Sequence, residues 1–250
     1  MRSAGVQISL LLPTRGRVAL VQRLFDSLVQ TTDDLQKLEV VVYVDEDDAE
    51  SLKIDRPALS LVKIVGRAGT TMGNMNRACY DASHGRYVML INDDVVFRTQ
   101  GWDARVREAA TRYPDDIALV YGNDLDQGEA VPTFPIVSRT VCDVLGEICP
   151  RGYRHLHIES HLLDIFKQLA RLGYKRICYL DDVIFEHMHY VVGKAAIDST
   201  YAKRSQRLDD ILFIALDDER VFKAKFLARW IEAGRSNCSI EAGTQRPSAQ

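Results

Sequence analysis

The run Tyr87-Val88-Met89-Leu90-Ile91-Asn92-Asp93-Asp94 decides how this chain folds. Five apolar residues in a row are too short for a buried helix and read as a strand covered on both faces, which three polar residues then end. Such a strand belongs to a mainly parallel sheet with helices on either side, and open α/β sheets bind ligands at the carboxyl ends of their strands. Asn92, Asp93 and Asp94 therefore stand at the ligand edge. A hard divalent cation wants one or two carboxylates and open positions for phosphate oxygens, and Asp94 suits that need.

The rest of the chain supports the same architecture. Toward the amino end, Val6 to Leu12 reads as a strand broken by Pro13-Thr14-Arg15-Gly16-Arg17, and Val21, Leu24, Phe25, Leu28 and Val29 recur at helical spacing. Val40 to Val44 is a second strand, ending in the acidic turn Asp45-Glu46-Asp47-Asp48, where Asp45 is the functional candidate and the others are solvated. Leu61 to Val65 is a third strand, and the stretch from Gly66 to Gly73 leads into a helix ending near Gly85. Toward the carboxyl end come a helix from Trp102 to Tyr113, a strand at Ile117 to Tyr121, and an irregular stretch, 123–154, with Pro132, Pro135, Pro150 and a short strand at Phe134 to Val137. A helix from Ile158 to Leu172 is closed by Gly173, two short strands follow at Ile177 to Leu180 and Val183 to Phe185, and residues 205–233 read as helical. The row Phe222, Phe226 and Trp230 is expected in the core, although Lys223, Lys225 and Arg229 leave a peripheral membrane contact open.

Composition narrows the classes. The 250 residues hold 32 Lys and Arg against 35 Asp and Glu, a net charge of −3, with 46% hydrophobic residues, which excludes collagen, extended disorder and a disulfide mini-protein. Without a basic excess, nucleic acid is not an expected partner. Cys79, Cys142, Cys149, Cys178 and Cys238 are odd in number and form no Cys-x-x-Cys pair, so reduced thiols and a cytoplasmic setting are expected. Val6 to Leu12 is far short of the roughly 20 residues a bilayer needs. Arg15 and Arg17 follow it where a signal peptide would need a small-residue cleavage site.

A second cluster, Glu186-His187-Met188-His189, also follows a strand-like run, and either imidazole could join a carboxylate on Mn²⁺ or Mg²⁺. Taken in order, Leu-Pro-Thr-Arg-Gly-Arg, Tyr-Val-Asp-Glu-Asp-Asp, Gly-Asn-Met-Asn-Arg-Ala and Gly-Arg-Tyr-Val-Met-Leu-Ile-Asn-Asp-Asp resemble a GT-A glycosyltransferase of the family 2 type over residues 6–200. His155-Leu156-His157-Ile158-Glu159 and Phe185-Glu186-His187-Met188-His189 with Gly193-Lys194 resemble a bacterial and phage branch of these enzymes.

Helical spacing predicts a helical extension at 201–234 and the polar, Gly- and Pro-containing end a flexible tail at 235–250, while the resemblance implies a GT-A-like, Rossmann-like α/β/α sandwich at 1–200. It implies inverting transfer of a sugar from a nucleotide-diphosphate donor, UDP-sugar favoured, to a glycan or lipid-linked acceptor, in the cytoplasm or at the inner face of the cell membrane. Pro13, Thr14 and Arg15 would lie against base and phosphates, Asp45 would accept a hydrogen bond from the base, and Arg67 and Asn76 would line the nucleotide pocket. Asn92-Asp93-Asp94 would occupy the Asp-x-Asp site, with Asn92 standing where the family has its first acid, Asn92 and Asp93 approaching the ribose and Asp94 binding the metal. His187 would be the second ligand and His189 its alternate. Glu159 would be the general base, with Asp164 next in line, and Trp102 would either stack on the acceptor or pack in the core. The competing readings are a sugar nucleotidyltransferase, which normally carries a longer Gly-rich loop than Leu12-Pro13-Thr14-Arg15-Gly16, and a non-catalytic glycan-binding or assembly subunit.

Overall fold

A computed structural model describes residues 5–188 and 206–243, with side chains through 234. Its first half alternates strand and helix: β1 (Ile8–Thr14), α1 (Val18–Thr31), β2 (Leu38–Asp45), β3 (Ser60–Gly66), α2 (Met72–Ala82) and β4 (Tyr87–Leu90). These strands pair in parallel in the order β3-β2-β1-β4. Their carboxyl ends consequently share one edge, which brings Thr14, Asp45 and Asn92 together.

The second half is β5 (Val95–Phe97), α3 (Trp102–Thr111), β6 (Leu119–Asn123), β7 (Ile136–Ser138), α4 (Arg139–Leu145), α5 (Ile158–Arg171), β8 (Ile177–His187), α6 (Gln206–Ala215) and α7 (Asp217–Gly243). It extends the sheet to β3-β2-β1-β4-β7-β6-β8-β5, with β7 antiparallel to both its neighbours and β5 antiparallel to β8. Strand periodicity splits the core in two. Leu10, Leu12, Val40 and Val42 pack with Phe25 of α1 and Trp102 of α3, whereas Leu11 and Val41 pack with Cys79 of α2, Phe166 of α5 and Leu227 of α7. Cys79, Cys142, Cys149 and Cys178 are buried free thiols, and burial pushes Cys79 and Cys149 up to about 12, so both stay protonated and inert.

Several expectations change. The two short strands expected around 177–185 are one strand, β8, whose register against β6 jumps from Gly122↔Leu180 to Asn123↔Ile184. Gly122 permits the close approach there, because a Cβ would sit 2.4 Å from the Val183 carbonyl oxygen. The carboxyl-terminal helix is two helices, α6 and α7, and α7 runs past residue 234, where the tail was expected to begin. Trp102 is a core residue: it is fully buried against Phe97 and Phe185 and its indole N–H donates to Thr32 Oγ1 at 3.1 Å.

The row expected in the core, Phe222, Phe226 and Trp230, is instead 58%, 43% and 50% exposed. The face of α7 that meets the core is made by Ala224, Leu227, Ala228 and Ile231. Both rows have helical spacing, and periodicity alone does not choose between them.

Candidate active site

The edge formed by β1, β2 and β4 is held by charged pairs. Thr14 Oγ1 donates to Asp93 Oδ2 at 2.8 Å and Arg17 Nη1 to Asp93 Oδ1 at 3.0 Å. Burial pushes the Asp93 carboxyl up to about 6; Arg17 pulls it down and Asp94 adds to the rise. Arg15 Nη1 reaches Asp45 Oδ2 at 2.7 Å, and the same guanidinium grips Asp47, so both acids hold its pKa above the usual arginine value. Asp48 accepts the Gly16 N–H at 2.6 Å, which commits the acidic turn to ordering the β1 loop. The other Asp45 oxygen, Oδ1, is buried with no hydrogen-bond partner among the described residues, and so is Asn76 Oδ1 in α2. Pro13 is buried in β1, while Asn92 and Arg67 are exposed at this edge.

Asp94 and His187 meet because of a strand pairing. β5 begins directly after Asp94 and pairs antiparallel with the end of β8 in the register Val95↔His187. The Met188 N–H donates to the Asp94 carbonyl at 2.8 Å and the His187 N–H to the Asp124 carbonyl at 3.0 Å. Asp94 Oδ1 then lies 3.3 Å from His187 Nε2, and the edge of Phe134 braces the imidazole at 5.4 Å. Two adjacent ligands of an octahedral divalent cation, each about 2.1 Å from it, lie about 3.0 Å apart, so this donor pair fits such an ion. Asp124 and Asp126 can also bring ligand atoms within 4.8 Å of the same imidazole. Asp124 is already used, however: it accepts the N–H groups of Asp126, Gln127 and Gly128 and the hydroxyl of Thr133. Its role in this geometry is to shape the turn, which leaves exposed Asp126 as the additional donor. His189 and Lys194 lie outside the described residues.

Glu159 sits in the first turn of α5 and is partly exposed. The loop before it rests on the start of α2, where the Gly73 N–H donates to the Tyr153 carbonyl at 2.9 Å. This contact ties the loop that leads into α5 to the start of α2. Asp164, by contrast, is engaged by Arg220 Nε at 2.7 Å.

The chain is similar to Staphylococcus aureus TarS 1–349 in complex with UDP, with TM-score 0.57, 17% identity, and 90% of this chain matched to 71% of that one. It is similar to the mannosyltransferase PcManGT from Pyrobaculum calidifontis in complex with GDP-Man and Mn²⁺, with TM-score 0.57, 15% identity, and coverage of 98% and 82%. The fold is that of the GT-A glycosyltransferases. A third GT-A relative in shape is glucosyl-3-phosphoglycerate synthase from Mycobacterium tuberculosis with Mn²⁺, UDP and phosphoglyceric acid, at TM-score 0.55, 17% identity, and coverage of 88% and 80%. Against two other TarS structures the chain spans 59% of the 1–349 fragment and 43% of the longer protein. No family model and no curated protein matches the sequence.

Sequence reasoning passed over Arg17, although it closes the quoted Leu-Pro-Thr-Arg-Gly-Arg motif, and it missed Asp124 and Asp126. An acid repeated at alternate positions in Asn123-Asp124-Leu125-Asp126, just after a strand, was the available signal.

Proposed function

We propose that this GT-A chain transfers a sugar from a nucleotide-diphosphate donor, with UDP-sugars favoured, to a hydroxyl of a glycan or lipid-linked acceptor, with inversion. The observation that carries the reading is the Asp94–His187 pair at 3.3 Å, set at the same strand edge as the buried free oxygen of Asp45. Asp45 Oδ1 and Asn76 Oδ1 are desolvated acceptors suited to a nucleotide N–H. Thr14 and Arg17 hold Asp93, which would approach the ribose, and Arg15 holds the acidic turn, where it would meet the nucleotide.

Asp94 and His187 would hold Mn²⁺ or Mg²⁺, which when bound neutralises charge on the departing diphosphate. Glu159 takes the proton of the attacking hydroxyl. The acceptor oxygen then bonds to the anomeric carbon, the bond from that carbon to the diphosphate breaks, and its electron pair leaves on the diphosphate. A lipid-linked acceptor is supported by the exposed Phe222, Phe226 and Trp230, flanked by exposed Lys225 and Arg229, a face suited to an anionic membrane surface. No described helix is long and apolar enough to cross a membrane.

The test is product analysis with UDP- and GDP-sugars and Mn²⁺. Release of nucleoside diphosphate supports the reading, release of pyrophosphate indicates a nucleotidyltransferase, and no release from any donor indicates a binding subunit.

A further inference from the structure

The loop that delivers Glu159 is pinned from two sides. On one side the start of α2 donates to it, Gly73 N–H to the Tyr153 carbonyl at 2.9 Å and Met72 N–H to the Arg154 carbonyl at 3.3 Å. The approach is so close that a Cβ on Gly73 would lie 2.1 Å from the Pro150 carbonyl oxygen. On the other side stands Asp209 of α6, 1% exposed. Its Oδ1 accepts the Arg154 N–H at 2.8 Å, and its Oδ2 accepts the His155 and Leu156 N–H groups, both at 2.9 Å.

The neighbouring Asp210 meets His157 Nε2 at 2.7 Å, and Phe213 lies 4.9 Å from the same ring. His157 has φ +69°, an uncommon left-handed conformation for a non-glycine residue. α5 starts at the next residue, and Glu159 is in its first turn.

Hydrogen bonds to an ionised carboxylate are roughly twice as strong as neutral ones, and here three successive backbone donors share one. We propose that Asp209 is a positioning residue for sugar transfer: by fixing residues 154–156 it sets where Glu159 stands, and the shared contact with α2 ties that position to the donor side. This rests on the transferase reading. A misplacement of about 1 Å at a reacting group can cost about a hundredfold in rate.

The test uses the full chain with Mn²⁺ and UDP-glucose, UDP-N-acetylglucosamine or GDP-mannose, following nucleoside diphosphate release to water, whose proton Glu159 would also take. Asp209→Asn keeps the side-chain size but replaces one acceptor oxygen with an NH₂ group, so at least one of the three bonds is lost. Thermal unfolding should stay cooperative and donor KM should stay within about twofold, while kcat falls about tenfold or more. Asp210→Asn, at the half-buried partner of His157, should lower kcat by a smaller factor at unchanged KM.

Wild-type kcat in Asp209→Asn, or a rise in donor KM that accounts for the lost activity, overturns the role of Asp209. If Asp209→Asn does not fold, Asp210→Asn decides alone: a lower kcat at constant KM supports the pinned loop, and wild-type kcat rejects it. If the wild-type chain releases nothing from all three donors, the transferase reading falls and the inference with it. An active wild type beside an equally active variant removes the inference only.

Discussion

The Asp94 carboxylate faces the His187 imidazole at 3.3 Å because the strand that starts after one residue pairs with the strand that ends at the other. That separation is close to the roughly 3.0 Å between adjacent ligands of an octahedral divalent cation, the role proposed for the pair. Mn²⁺ should therefore raise the unfolding temperature of the wild-type chain, since a ligand at 100 times its Kd adds about 2.7 kcal/mol to native stability. Asp94→Asn and His187→Ala should each abolish most of that rise. Protection of both variants as strong as that of the wild type would place the cation elsewhere.

Asp45 divides its carboxylate between two tasks. Oδ2 receives Arg15, and Oδ1 is buried with no partner among the described residues. A uridine N–H at Oδ1 would satisfy it, so Asp45→Ala should weaken UDP binding by about tenfold or more, measured by calorimetry. Equal UDP affinity in the two proteins would remove Asp45 from the nucleotide pocket.

Two acids of α5 have different surroundings. Glu159 is in the first turn, which follows the loop that rests on α2, while Asp164 is bound by Arg220. Glu159→Gln should lower kcat by about a hundredfold or more with donor KM unchanged. Asp164→Asn should leave kcat near wild type and lower stability modestly, because Arg220, 3% exposed, loses one of its two carboxylate partners and keeps Asp217 at 2.9 Å. The opposite pattern would make Asp164 the base.

How far the sequence reaches depends on what each signal encodes. The parallel half of the sheet was legible because β1, β2 and β4 carry the apolar runs Leu10 to Leu12, Val40 to Val44 and Tyr87 to Leu90, and Thr14, Asp45 and Asn92 end or follow them, so the edge comes with the strands. That an imidazole of the 186–189 cluster could join a carboxylate was legible in the residues, but the choice of His187 as the partner of Asp94 came only through resemblance. Their meeting depends on β5, three residues with no periodicity of their own, and on the bulge where β8 leaves β6. Asp209 was invisible for a similar reason: nothing near Leu208 or Asp210 in the sequence indicates three amide groups waiting in a distant loop. The misassigned Phe222 row shows the limit of periodicity, since small Ala224 and Ala228 give α7 its close-packed side and leave the aromatic rings outward.

That outward row gives its own test. Wild-type protein should co-sediment with vesicles containing anionic lipid more than with neutral vesicles, because Lys225 and Arg229 lie among the exposed rings. Replacing Phe222, Phe226 and Trp230 together by Ser should reduce that binding with little loss of stability, as all three side chains already face solvent. Equal sedimentation of both proteins would count against a membrane contact.

His161 should make stability depend on pH. Its ring is 1% exposed, Nδ1 pairs with the Tyr153 hydroxyl at 3.1 Å, and burial, with Lys223 and Arg220 adding, pushes its pKa down to about 3. In the unfolded chain a histidine titrates near 6.5. Above that value both states are neutral and His161 contributes no slope. As pH falls through 6.5 the unfolded chain takes up a proton that the folded chain refuses, so stability drops continuously until about pH 3. At pH 5 the loss is about 2 kcal/mol. Urea midpoints at pH 7 and pH 5 should differ more for the wild type than for His161→Gln, whose amide still offers Tyr153 a partner but does not titrate. Carboxylates contribute equally to both proteins, so the difference between the two drops isolates His161. Identical drops would mean that this ring accepts a proton in the folded chain.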